Sequence, residues 1–497
     1  MASDEAGPAP PGDKAQSLIL RGGRSAALGL VIRLGARILF LFIAARLFGA
    51  LLFGAYSLAI AVVELGVAVA GLGMKRLLFK LLDEVGGERE PAHALLDAAL
   101  AVTGIGAAIA AGLMLVVALP PVHGLLGETA WPLLLAAPMI VGQALLDLFL
   151  AATRWKHRMR YEVVGRSIVE PYAATAATVA AYFAGFTETG LLLGYWAGTL
   201  FALVYAIVGM RRCFGGLGLR RYRPARLRAI LHESAVPTLS DFAGALFGRL
   251  DLYLIGLFLG ESPAGIYGVA RQVRTPIRQV RQSFDGLLTP IVARTLARDG
   301  AAETGQAIAS ASRLILTLQL ALLVTLVAVG LPLLGWFGPE FAAGYWALLA
   351  LALAETIQGA FGIGDLIFLY RQPWVVLRIT AATTLVNLAA GVALIPWLGI
   401  DGAALSVLAA MIAGAIIRRW SLRTRFGVKV PLSYSAGPVL AAAAAVLTVL
   451  AAKSLPASEP IRDGLSVVAA LIVYAAALKL WLATTGASLA LVKFKTD

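Results

Sequence analysis

At 497 residues, 60% hydrophobic and only 14% charged, the chain carries more apolar surface than a water-soluble core can hide, which excludes a soluble protein. Its net charge of +14 would suit nucleic acid in a soluble protein, but membrane proteins collect Lys and Arg in cytoplasmic loops, so no nucleic-acid partner is expected. The single cysteine, Cys213, excludes an intramolecular disulfide and a cysteine metal cluster.

Taken in order, residues 1–20 read as a flexible cytoplasmic tail without the apolar core of a signal peptide. Apolar stretches then fall near 24–45, 53–73, 94–119, 131–151, 166–185, 189–210 and 236–258. A second set falls near 264–291, 307–331, 343–369, 374–396, 401–417, 433–452 and 464–485. This predicts an all-α polytopic membrane protein of about fourteen transmembrane helices. The expected organisation is a six-helix lobe at 21–210, a basic cytoplasmic linker at 211–235, a second six-helix lobe at 236–420, and two additional helices at 421–497.

The distribution of charge supports that count. With both termini in the cytoplasm, 30 of the 42 Lys and Arg fall in cytoplasmic segments, and Arg46, Lys453 and Arg462 fall outside. The eighth span is the weakest by hydropathy. If it did not cross, the basic run Arg418, Arg419, Arg423, Arg425 and Lys429 would lie outside, against that bias.

An internal repeat points the same way. Gly49, Gly54, Tyr56 and Ala59 are spaced as Gly260, Gly265, Tyr267 and Ala270, 211 residues later, each time between the first and second helices of a half. The glycines suit a tight turn and the tyrosines an interface belt. Two halves of like topology imply parallel repeats with the substrate site between them. The last two helices read as an appendix.

Soluble-enzyme motifs are missing. No Walker A sequence is present, Gly216-Leu-Gly218 lacks a preceding strand, and His93, His123, His157 and His232 have no metal-ligand spacing, so neither cofactor nor metal is expected. The ionisable residues of the spans carry the signal instead. Arg271, Arg274, Arg278, Arg281 and Asp285 share an arc of about 80°, the four arginines covering about 15 Å of helix interrupted by Pro276. Such a stripe cannot face lipid, because each central Arg costs about 2.5–3.5 kcal/mol there. Arg33 and Arg37 share a face of the first span, and Arg249 lies in the seventh. The candidate counter-ion or coupling groups are Glu64, Asp241, Asp251, Asp285, Glu355 and Asp365, the last two on one stripe with Gln358. The surplus of arginine suits an anionic ligand, while internal pairing, for example of Glu64 with Arg33 or Arg37, remains the alternative reading.

The segment Arg24-Ser-Ala-Ala-Leu-Gly-Leu, the stretch Ala45-Arg-Leu-Phe-Gly49 to Tyr56 and its copy Gly260–Tyr267 resemble the Wzx-type polysaccharide flippases of the multidrug/oligosaccharidyl-lipid/polysaccharide exporter superfamily. The resemblance covers about residues 20–420. It implies a V-shaped two-lobe fold with a central cationic cavity and alternating access. The implied cargo is a glycan on undecaprenyl pyrophosphate, moved from the cytoplasmic to the periplasmic leaflet of a bacterial inner membrane. Glycosyltransferases and a polymerase of the same pathway would be its partners, beside membrane lipids. The two extra helices are similar to the plan of MurJ-type flippases.

Two other readings were open. A cation-coupled drug or metabolite antiporter of the same superfamily would have an acidic or aromatic cavity. A membrane glycosyltransferase or polymerase would need a sizeable catalytic loop, whereas the external loops are short and the 211–235 segment is basic.

Overall fold

The computed structural model describes residues 11–84, 90–215, 227–284, 288, 300–454 and 459–486. Among these every regular element is a helix, which satisfies its own backbone hydrogen bonds within lipid. Nine helices of the described residues are long and apolar enough to cross a bilayer, or ten with the pair Gly127–Ala136 and Met139–Trp155, bent by 49°. Two long helical runs each cover two of the expected stretches. Pro11–Ala70 would reach about 90 Å if straight, three times the hydrocarbon thickness, but Gly49 breaks it at φ 71°, ψ 179°. Pro373–Phe426 is broken likewise at Gly399, with φ 59°. Arg160–Val164 and Glu170–Phe183 form the fifth expected span around a π turn at Gly165–Val169. Glu261–Val273 and helical residues 275–284 supply the eighth. Helix thus underlies each of the fourteen expected stretches.

The chain divides into two compact units. Residues up to Leu47 together with Val62–Ala245 form the first, and Phe48–Ala61 together with residues from Leu246 onward form the second.

In the first unit Gly194 and Gly198 of the Gly190–Phe214 helix face the Glu170–Phe183 helix, where a Cβ would overlap Thr178 and crowd the Glu170 carbonyl. Small residues at every fourth position let the two backbones close without a hydrophobic driving force. A short helix, Met74–Asp83, buries Met74, Leu77, Leu78, Leu81 and Leu82 on one face and leaves Lys75, Arg76 and Lys80 on the other.

In the second unit the two copies of the glycine repeat pack against each other. Gly49 and Gly260 turn the chain with φ 71° and 84°, values that a side chain would strain. A Cβ on Gly54 would overlap the carbonyl oxygen of Glu261, and one on Gly265 would overlap that of Ala50. The contact is reciprocal: the second glycine of each copy meets the residue after the first glycine of the other. Leu58, Ile255, Ala264, Tyr267, Leu351, Ile395 and Ala404 continue it as a core.

Two expectations are corrected here. Tyr267 does not sit in an interface belt; it is fully buried and donates to Asp251, because polar groups inside the unit hold it there. The last two helices, Ser433–Lys453 and Glu459–Thr485, are not an appendix. Tyr434, Ala445, Val449, Ala470 and Tyr474 pack with Leu316, Leu320 and Val324 of the Ala301–Phe337 helix in one apolar cluster. Tyr434 and Tyr474 also donate to the carbonyls of Ala360 and Thr317, at 3.2 and 2.8 Å.

Candidate functional site

The second unit gathers most of the arginines singled out in the sequence. Asp251, 3% exposed, accepts the Tyr267 hydroxyl at 2.6 Å and Arg271 Nη1 at 3.2 Å. Arg271 also donates to the Gly248 carbonyl. The Glu261–Val273 helix ends at Arg274, two residues before Pro276, whose ring a continuous helix would not admit, so the row is carried by two helical segments. At that junction buried Arg274 pairs with Glu355 at 2.9 Å. Arg281 donates to the carbonyls of Gln358 and Gly362, at 3.3 and 2.9 Å, and lies where a Cβ on Gly362 would stand. Gln319 donates to the Ile277 carbonyl at 2.9 Å and steadies the second segment.

Arg278 stands apart from its neighbours. It is half-buried, and its Nε is buried without a hydrogen-bond partner among the described residues, as is Oε1 of Gln358. The charged groups acting on Arg278 are Glu355, already engaged by Arg274, and the cations Arg274, Arg271 and Arg249. Arg271 and Arg274 thus hold Asp251 and Glu355, and Arg278 stands beside both pairs. Such a site can grip an anion with two-pronged hydrogen bonds.

Other expected members lie elsewhere. Asp365 does not share the stripe of Glu355 and Gln358, because the 3-10 turn Gly362–Gly364 intervenes; it binds Arg418 at 2.8 and 3.0 Å. Arg418 had been read as a loop residue, yet its helix runs on to Phe426. Asp241, Glu64 and Arg37 belong to the first unit: Asp241 pairs with Arg76 at 2.7 Å, Glu64 lines a cavity, and Arg37 is exposed. The side chain of Arg33 and all of Asp285 lie outside the described residues.

The cavity of the first unit was missed in the sequence. It encloses about 800 Å³ among the second, fourth, fifth, sixth and seventh spans and the short Met74–Asp83 helix. Its wall is a chain of ion pairs. Arg166, in the π turn, binds Asp147, and it also reaches Glu170 at 2.8 Å and Gln143 Oε1 at 3.1 Å. Lys75 holds the other Asp147 oxygen at 3.0 Å. Gln143 donates to Thr199 at 2.8 Å and to Glu170 at 3.2 Å. The available signal was spacing: Gln143 with Asp147, and Arg166 with Glu170, each stand four apart on one helix face.

A family model described as "Polysaccharide biosynthesis protein" matches residues 19–296, more than half of the chain. A relative from Haloferax volcanii, "Probable low-salt glycan biosynthesis flippase Agl15", is 23% identical over 204 residues. That match covers 41% of this chain and 43% of the relative, so the chain spans less than half the length of the curated relative it matches. Among solved structures the chain is similar to "Lipid II flippase MurJ, inward closed conformation", with a TM-score of 0.74 and 15% identity over 93% of this chain and 100% of that one. It is also similar to an inward-facing "multidrug resistance MATE family transporter of the MOP superfamily", with a TM-score of 0.64 and 13% identity over 80% and 98% of the two chains. Likeness at these identities is likeness of fold, that of polytopic helical transporters.

Proposed function

The chain belongs to the polysaccharide biosynthesis protein family, and from that premise we propose that it is a flippase for an oligosaccharide linked to undecaprenyl pyrophosphate. It carries the glycan from the cytoplasmic to the periplasmic leaflet of the inner membrane, with access to the site alternating between the two sides and both termini in the cytoplasm. No bond is made or broken, so the work of the protein is to replace the hydration of the headgroup while the polyprenyl tail stays in lipid. Glycosyltransferases would supply the cargo and a polymerase would consume it.

The observation that carries this reading is Arg278. A half-buried guanidinium with an unmatched buried Nε, beside carboxylates already taken by Arg271 and Arg274, is a standing cost in a membrane helix. A pyrophosphate offsets that cost: it accepts the fork of Arg278 and spreads its own charge over the neighbouring arginines. The excess of cation also disfavours a cation antiporter, whose site would need the opposite balance.

Replacing Arg278 with Ala should abolish glycan export while the protein remains folded in the membrane, since no ion-pair partner is stranded. Losing a charge-assisted contact costs about 1.5–3 kcal/mol, or one to two decades in affinity. Lys should rescue in part, because an ammonium lacks the fork. Export at the unmodified rate from a stable Arg278→Ala variant, measured as surface glycan in cells dependent on this chain, would remove the proposal.

A further inference from the structure

We infer that the cavity of the first unit is a binding site for uncharged sugar residues of the transported glycan, an inference that rests on the flippase reading. The argument begins with charge. Lys75 and Arg166 offset Asp147 and Glu170, Arg76 offsets Asp241, and Glu162 is held by Arg154 at 3.2 Å. These paired charges balance one another and have little net pull on a phosphate or a simple cation. The wall is nevertheless dense in donors and acceptors. A carboxylate offers about four lone-pair sites and a guanidinium five N–H groups. Asp147 takes one protein contact on each oxygen, and half of its accepting capacity remains.

Balanced charge with spare hydrogen-bonding capacity suits a polyhydroxyl ligand, whose vicinal hydroxyls both donate and accept. The ring of Tyr195 adds an apolar patch for the C–H face of a sugar. At about 800 Å³ the cavity lies within the range of small-molecule sites, about 300–1,000 Å³. Its wall is also rigid. Gln143, itself held by Thr199, donates to Glu170, and the π turn carries Arg166; such turns occur often at functional sites. In the proposed topology Lys75, Asp147, Arg166, Glu170 and Asp241 stand at or near the cytoplasmic ends of their spans, the side on which a newly built glycan is presented, and Tyr195 lies toward the other end of its span. The arginine row of the second unit, Arg271, Arg274, Arg278 and Arg281, has the complementary chemistry for the pyrophosphate.

Gly244 lines the cavity, is exposed, and has open space where a Cβ would be. Gly244→Trp therefore fills the cavity without a clash at its base, and Ser240→Phe does so from one turn earlier. The test measures affinity of the purified full chain for bare undecaprenyl pyrophosphate and for the same lipid bearing two or three neutral hexoses. The unmodified protein should bind the glycosylated lipid at least about tenfold tighter, the worth of one hydrogen bond to a charged group. Either variant should bring the two affinities together while leaving that for the bare lipid unchanged. Arg278→Ala should weaken both lipids by the same factor. Equal affinity of the unmodified protein for the two lipids, or a preserved ratio in folded Gly244→Trp and Ser240→Phe proteins, would overturn the sugar site. Failure to bind either lipid would instead overturn the flippase reading beneath it.

Discussion

Gly49–Ala59 and Gly260–Ala270 both turn at a left-handed glycine and press a second glycine against the opening of the other copy. Eleven residues beyond the first glycine the likeness ends. The second copy runs on into Arg271, Arg274, Arg278 and Arg281, where the first has Ile60, Val63, Val67 and Ala70. Asp251 and Glu355, which bind Arg271 and Arg274, correspond at the same offset to Phe40 and Ala144. Backbone geometry is kept in both copies because close helix approach admits only glycine. The charge is kept in one, since a second row of arginines would add about 2.5–3.5 kcal/mol for each central cation without a second ligand to offset it.

The sharpest test of that difference is Arg274. Arg274→Ala strands the Glu355 carboxylate in a buried site and should destabilise the protein by about 3–5 kcal/mol, while Arg274→Met with Glu355→Leu should recover most of the loss. Val63→Ala, at the matching place in the first copy, removes only methyl groups and should cost about 1–3 kcal/mol. Unfolding in mixed micelles compares them, and equal losses would show that Arg274 is held no more tightly than an apolar side chain.

A middle-sized effect probes the shared part. Gly54→Ala and Gly265→Ala each drive a methyl into a backbone carbonyl and should cost about 1–3 kcal/mol, alike for the two copies. A large cost at one and none at the other, by the same unfolding measurement, would break the reciprocity.

The smallest effect contrasts ion pairs in the two units. Arg76 is 68% exposed where it meets Asp241, so Arg76→Gln should lower stability by no more than about 1 kcal/mol, and added salt should shrink the difference. A loss rivalling that of Arg274→Ala would place the pair in a far drier setting than its exposure indicates.

Much of the site was legible because cost is legible. Arg271, Arg274 and Arg278 stood out as cations where hydrocarbon belongs, and the structure brings them together with Arg249, Asp251 and Glu355. Pairing was less readable. Helical periodicity joined Asp365 to Glu355, but the turn at Gly362–Gly364 gives it to Arg418 instead. The cavity wall of the first unit was overlooked since Arg166 falls at the edge of an apolar stretch, where a basic residue passes for a loop charge. Only the partners from other helices show that it is held inside.

What the sequence determined by itself was the solvent and the class of element: apolar stretches of membrane length and two copies of a glycine turn. Those are one-dimensional properties, set by what each segment must cross or where it must bend. Tertiary structure decided which charges neutralise one another, that Nε of Arg278 is buried as an unmatched donor among the described residues, and that Tyr434 and Tyr474 make the last two helices part of a core. Such outcomes depend on contacts between residues far apart in the chain, 165 positions in the case of Arg76 and Asp241. No local periodicity encodes contacts of that range, because they form only when separate helices are packed side by side.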